Sequence, residues 1–190
     1  MERNIAQIAL FAAMIAALGL VPQITLGFGV PITAQTLGVM LAGAVLGAKR
    51  GAAAAGLFML LVALGLPLLA GGRGGLGVFS SPSAGFALGW PVAPFVIGLF
   101  VERVPMRSAG LAAFIGSVLG GIVVLYIMGA AGLAFVTGRS LPEAFRLVMV
   151  FIPGDLLKAG ITGMLVQALS RVRPGALSWH RSAASGGARL

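Results

Sequence analysis

Apolar residues run along this chain in stretches of helical length, separated by short segments that carry Gly, Pro, Ser and Arg. The stretches fall at about 5–26, 34–48, 52–69, 84–101, 109–135 and 144–169. A bilayer core about 30 Å thick takes roughly 20 apolar residues per spanning helix. The pattern therefore predicts an all-α polytopic membrane protein, a six-transmembrane-helix bundle in one domain over residues 1–173. The second stretch is short; it tilts little, or its ends lie below the membrane surface, as in helices that line a binding cavity. Strict polar–apolar alternation, the mark of a membrane β-barrel, is absent. "MERN" before the first apolar run looks superficially like the start of a signal peptide. The run is longer than the 7–15 residues of such a region and ends in no small-x-small site, so it reads as the first span.

Composition sharpens this picture. The 190 residues are 59% hydrophobic and 9% charged, with mean hydropathy +1.08, which excludes a soluble globular domain. The net charge of +9 is spread over short loops and a tail. Membrane lipid with anionic headgroups fits that spread, and nucleic acid does not. Lys49 and Arg50, Arg103 and Arg107, and Arg171 and Arg173 follow alternate spans, which puts them on one side. By the positive-inside rule that side is the cytoplasm, with both termini there and the protein in the cell's inner (plasma) membrane. Beyond Arg173 the apolar character is lost, and 174–190 reads as a disordered, basic cytoplasmic tail. There is no cysteine, and the single histidine, His180, falls in that tail. No metal site and no cofactor is expected.

The candidate chemistry begins with "FIPGDLLKAGITGML". Asp155 and Lys158 are three residues apart in an apolar helix, leaving the same face about 60° apart. Each ion would cost about 2.5–3.5 kcal/mol at a span centre, so the pair faces the bundle interior. It is either a strut between helices or part of a solute site. "IPG" interrupts the helix just ahead. Gln35, in an apolar helix, needs a partner across the bundle or on a ligand. Arg73 lies in "AGGRGGLGVFSSPSAGF", which is either a lid over a pocket or a flexible linker. Phe86 and Trp90, four residues apart, form an interface belt or wall a pocket. Ala9, Ala13 and Ala17 make a small-residue stripe, as do Gly43, Gly47 and Gly51; such stripes serve internal packing or the docking of another membrane subunit. No phosphate-binding loop is present, since the chain contains no Gly-Lys pair.

Together, "VPITAQTLGVMLAGAVLGAKRG", "LGLPLLAGGRGGLG" and "IPGDLLKAG" resemble the BioY biotin-transport family over roughly residues 30–160. These are the substrate-capturing S components of energy-coupling-factor (ECF) transporters. The resemblance implies a six-helix bundle with a vitamin site near the outer surface, powered by a coupling subunit and ATPase subunits. It places the family's acid and base on Asp155 and Lys158, holding the ureido ring of biotin, with Gln35, Phe86, Trp90 and Arg73 as further candidate contacts. It also matches the Ala9, Ala13, Ala17 stripe to the face that docks the coupling subunit. "SPSAGF" departs from the Gly-Pro-Thr-Gly-Gly-aromatic segment usual in relatives. The resemblance implies no enzymatic activity. An S component for a different vitamin and an intramembrane enzyme using the acid and amine are the alternatives.

Overall fold

The computed structural model describes residues 2–179. Six helices carry the fold: α1 (Glu2–Leu18), α2 (Gln35–Leu46), α3 (Ala48–Ala63), α4 (Ala84–Arg103), α5 (Ala109–Thr137) and α6 (Leu141–Val172). A two-residue antiparallel hairpin, β1 (Ile24–Thr25) and β2 (Pro31–Ile32), lies between α1 and α2. Three helices, α4 to α6, are long and apolar enough to cross a membrane. The apolar α2, at 12 residues, rises only about 18 Å, so its ends fall short of a full crossing.

Two of the expected spans are shorter than the hydropathy implied. The first ends at Leu18, before Pro22, which offers no backbone N–H and forces the residue ahead of it out of the helical region. The apolar residues that follow build the hairpin instead of further helical turns. The third ends at Ala63, ahead of Gly65 and Pro67.

Small residues let the first four helices close on one another. Gly43 of α2 lies so near α4 that an added Cβ would meet Pro94 O at 2.6 Å, and a Cβ on Gly98 of α4 would overlap the backbone of Gly47 and Ala48. The Gly43, Gly47, Gly51 stripe thus serves internal packing. Gly47 alone separates α2 from α3; its φ of 80° is open to glycine at little cost. Glu102 completes this corner by accepting from Ala48 N at 3.0 Å.

One end of the bundle carries the amino terminus, the α2–α3 corner, the α4–α5 turn and the end of α6. Arg50 donates to Asn4 and Gln7 at 3.0 and 3.1 Å, and Gln167 accepts from Ser108 and Gly110, both at 2.9 Å. Lys49, Arg50, Arg103, Arg107, Arg171 and Arg173 share that end, as simple alternation of the helices requires. Packing also runs past the Arg173 boundary. Leu177 is fully buried, and Ser178 N and Trp179 Nε1 donate to Val45 and Ala44 carbonyls at 3.2 and 2.8 Å, capping α2. His180 and the rest of the expected tail lie outside the described residues.

Gln35 ties the opposite end together. Its Nε2 donates to Ile15 O and Leu68 O, both at 3.0 Å, and its Oε1 accepts from Ala70 N at 2.9 Å. One fully buried amide thereby joins α1, α2 and the loop after α3. Gln35→Ala strands those three backbone groups, at about 1–3 kcal/mol for each one left dry. Faster deuterium uptake across residues 68–75 and a lower melting temperature in detergent are expected; unchanged uptake would contradict the tie.

Candidate functional site

The end of the bundle opposite the basic corner holds a cavity. Its empty space is about 620 Å³, open solvent at the mouth included. The hairpin and the start of α2 supply one wall from Val30 to Thr36; Phe86, Ala87 and Trp90 of α4 supply another. Phe151, Asp155 and Lys158 of α6 face them, and Leu69, Arg73 and Val78 come from the α3–α4 connection.

Local sequence sets the α6 contribution. At "FIPGD" the helix tightens into a single 3₁₀ turn, Met149–Phe151, and α-helix resumes at Ile152 with Pro153 in its first turn, where a missing N–H does no harm. The expected interruption is thus a tightened turn, which leaves Phe151 buried at the cavity. Asp155 follows in that first turn and Lys158 in the next.

The two side chains form an ion pair, Lys158 Nζ to Asp155 Oδ1 at 2.7 Å, with side chains only 15% and 7% exposed. Lys158 also donates to Thr36 Oγ1 at 2.8 Å, and the Thr36 hydroxyl lies 3.3 Å from Asp155 Oδ1. The second carboxylate oxygen, Oδ2, accepts from the Tyr126 hydroxyl at 2.8 Å. An ammonium has three N–H groups and each carboxylate oxygen two lone pairs. Among the described residues, one N–H of Lys158 and one lone pair of Asp155 Oδ2 therefore have no partner, and both residues border the cavity. The pair links α2, α5 and α6, and it also retains capacity for a ligand that can accept and donate on one edge.

Phe86 and Trp90 belong to the interior. Trp90 is 6% exposed and stacks near Phe58 with centroids 5.5 Å apart. Phe86 meets Phe151 edge-on at 5.9 Å and Tyr126 at 6.3 Å. Both rings border the cavity, Trp90 buried and Phe86 half-buried. Gly129 makes room for the Phe86 ring, which a Cβ there would overlap.

Arg73 borders the cavity with its guanidinium on Ala70 O and Ser83 Oγ, at 3.4 and 3.3 Å. Burial lowers its pKa from the ordinary arginine value, yet an arginine keeps its charge in proteins. It pairs with no carboxylate among the described residues. Its loop is no slack linker: Leu69 and Arg73 exchange backbone hydrogen bonds at 3.0 and 3.2 Å, and Gly75 N donates to Val62 O at 2.7 Å.

Gln35 borders the same space, but both its N–H groups and its carbonyl are committed to backbone, so it builds the wall and offers a ligand little. Thr36 and Tyr126 complete the polar cluster without having been singled out in the sequence. Thr36 sits beside Gln35, one residue round the helix. Tyr126 is the only tyrosine of the chain, and a hydroxyl deep in an apolar span must find a partner. Ala9, Ala13 and Ala17 lie apart from the cavity on the exposed face of α1, while Ala12 turns inward.

The BioY family profile matches residues 2–175. A curated "Biotin transporter BioY" of Rhodobacter capsulatus is 54% identical, over 93% of this chain and 98% of its own. Its counterpart from Rhizobium etli is 53% identical, over 88% and 92%. A crystal structure described as the S-component for biotin from an ECF-type ABC transporter superposes with a TM-score of 0.83 at 35% identity, over 89% of this chain and 91% of that one. A profile that runs through all six helices and relatives that share nearly the full length lead to one conclusion: this chain belongs to the BioY family.

Proposed function

We propose that the protein captures biotin as the S component of an ECF-type importer, releasing the vitamin unaltered. The observation that carries this reading is the free N–H of Lys158 and the free lone pair of Asp155 at the wall of one cavity. The ureido ring of biotin presents a carbonyl beside an N–H. Lys158 donates to the first and Asp155 accepts from the second, in a poorly hydrated setting where charge-assisted hydrogen bonds are strong. Phe86, Trp90 and Phe151 give the thioether ring and alkyl chain an apolar wall. Arg73, unpaired with any carboxylate among the described residues, supplies a cation for the valerate group.

The names of the relatives support transport over intramembrane chemistry. A different vitamin is the nearer rival; riboflavin or thiamine would share the bundle but would make no use of this acid and base at this spacing. The packing of α1 to α3 with α4 to α6 in one bundle supports six passages of the chain, the second completed by the connections at the ends of α2, and the shared basic end supports placing both termini in the cytoplasm of a cell with this protein in its inner membrane. The exposed stripe of Ala9, Ala13 and Ala17 offers a face on which a coupling-subunit helix can approach closely, with ATPase subunits supplying the energy.

In purified protein, Asp155→Asn and Lys158→Met each weaken biotin binding by at least about 1.4 kcal/mol, a tenfold loss, because a buried partner is left unmatched. Riboflavin and thiamine do not compete. Unchanged affinity in both variants would contradict the assignment. Ala13→Leu leaves biotin binding intact but abolishes co-purification with the coupling subunit; retained co-purification would remove α1 from the docking face.

A further inference from the structure

We propose that Tyr126 is a positioning residue that sets the site's selectivity for a ring N–H, acting through Asp155 without touching the ligand. This inference deepens the biotin reading and rests on it. Tyr126 is 3% exposed and does not border the cavity, so it stands behind the carboxylate. Among the described residues its hydroxyl is the sole donor to Asp155 Oδ2, whereas Oδ1 accepts from Lys158 and lies 3.3 Å from the Thr36 hydroxyl, whose single proton also has Thr33 O at 3.5 Å. With Tyr126 as its one donor, Oδ2 keeps a vacant lone pair, while Oδ1 is held by Lys158 and crowded by Thr36. With the hydroxyl in place, the carboxylate plane is fixed by contacts on both oxygens, and the vacant position is held in one direction. Without it, the carboxylate is fastened only at Oδ1 and is free to turn about the bond that carries it.

Two further observations show that Tyr126 itself is held in place. Its ring lies in a triangle with Phe86 and Phe151, at centroid separations of 6.3, 6.3 and 5.9 Å, all edge-on. Phe86 and Phe151 border the cavity, so the ring that fixes the polar end also braces the apolar wall. Directly ahead of it, Leu119–Val124 form a π-helical turn within α5. Each residue of a π turn advances less than the roughly 100° of an α-helix, so the residues after it are re-aimed relative to an uninterrupted helix. Leu125 and Tyr126 are the first residues after that turn. Leu125 borders the cavity and Tyr126 reaches Asp155.

The test is Tyr126→Phe, which keeps the ring and its packing and removes only the hydroxyl. Binding is measured for biotin and for a biotin derivative methylated on both ureido nitrogens, which cannot donate to Asp155. The wild type is expected to prefer biotin strongly. In Tyr126→Phe, biotin affinity falls about tenfold, the methylated derivative is little affected, and the preference narrows. In a double-mutant cycle, Tyr126→Phe adds nothing once Asp155→Asn is present. Equal weakening of both ligands, additive losses in the cycle, or unchanged biotin affinity in a variant with wild-type elution and melting would each overturn the role given to Tyr126. A wild type that binds no biotin would instead overturn the ligand assignment, and this role with it.

Discussion

A carboxylate and an ammonium, kept out of water within an apolar bundle, set the terms for this structure. Separating either ion from its partner in such surroundings is costly, and pairing alone seldom recovers the loss of hydration. The fold answers with neighbours from two other helices. Thr36 from α2 and Tyr126 from α5 add hydroxyl contacts to the pair on α6, so the cluster is satisfied on its protein side. A hydroxyl or amide would have bridged the helices at lower cost, and the hydrogen-bonding capacity left over at the cavity gives the charges a use that a strut would not have.

The two ends of the bundle do different physical work. At the basic end, close packing is the rule: Gly43, Gly98 and the Gly47 corner bring α2, α3 and α4 together, and Trp179 closes over the end of α2. At the other end the helices stop short and connections take over, which leaves a space where backbone polar groups need partners. Gln35 supplies three of them, and the paired backbone of the Leu69–Arg73 turn supplies more. Irregular backbone at membrane depth is tolerated where protein or a cavity satisfies it, and here both do. The cavity is therefore a consequence of short helices pinned at one end and bridged at the other.

Much of this could be read from the residues. Long apolar runs gave the helices, their basic flanks gave the shared end, and the i, i+3 spacing of Asp155 and Lys158 gave the pair. Hydropathy failed where apolar residues serve something other than a span. Ile24 belongs to the hairpin, and Pro22 outweighed the apolar run that surrounds it. Gln35 was legible as an amide in need of partners, but its partners are backbone groups distant in sequence, which no local pattern announces. The same holds for Tyr126: its bond to Asp155 spans 29 positions and depends on a π turn without a recognisable signature. Trp179 looked like part of a polar tail because its packing partner is a helix end far upstream.

The central claim is that the leftover valences of the pair are completed by a ureido ring. The most direct measurement is an experimental structure of the protein in lipid nanodiscs with biotin bound. The account predicts the ureido oxygen within about 3.2 Å of Lys158 Nζ, with a ring nitrogen at the same range from Asp155 Oδ2. Biotin seated elsewhere, or lying in this cavity with its ring turned away from the pair, would contradict it.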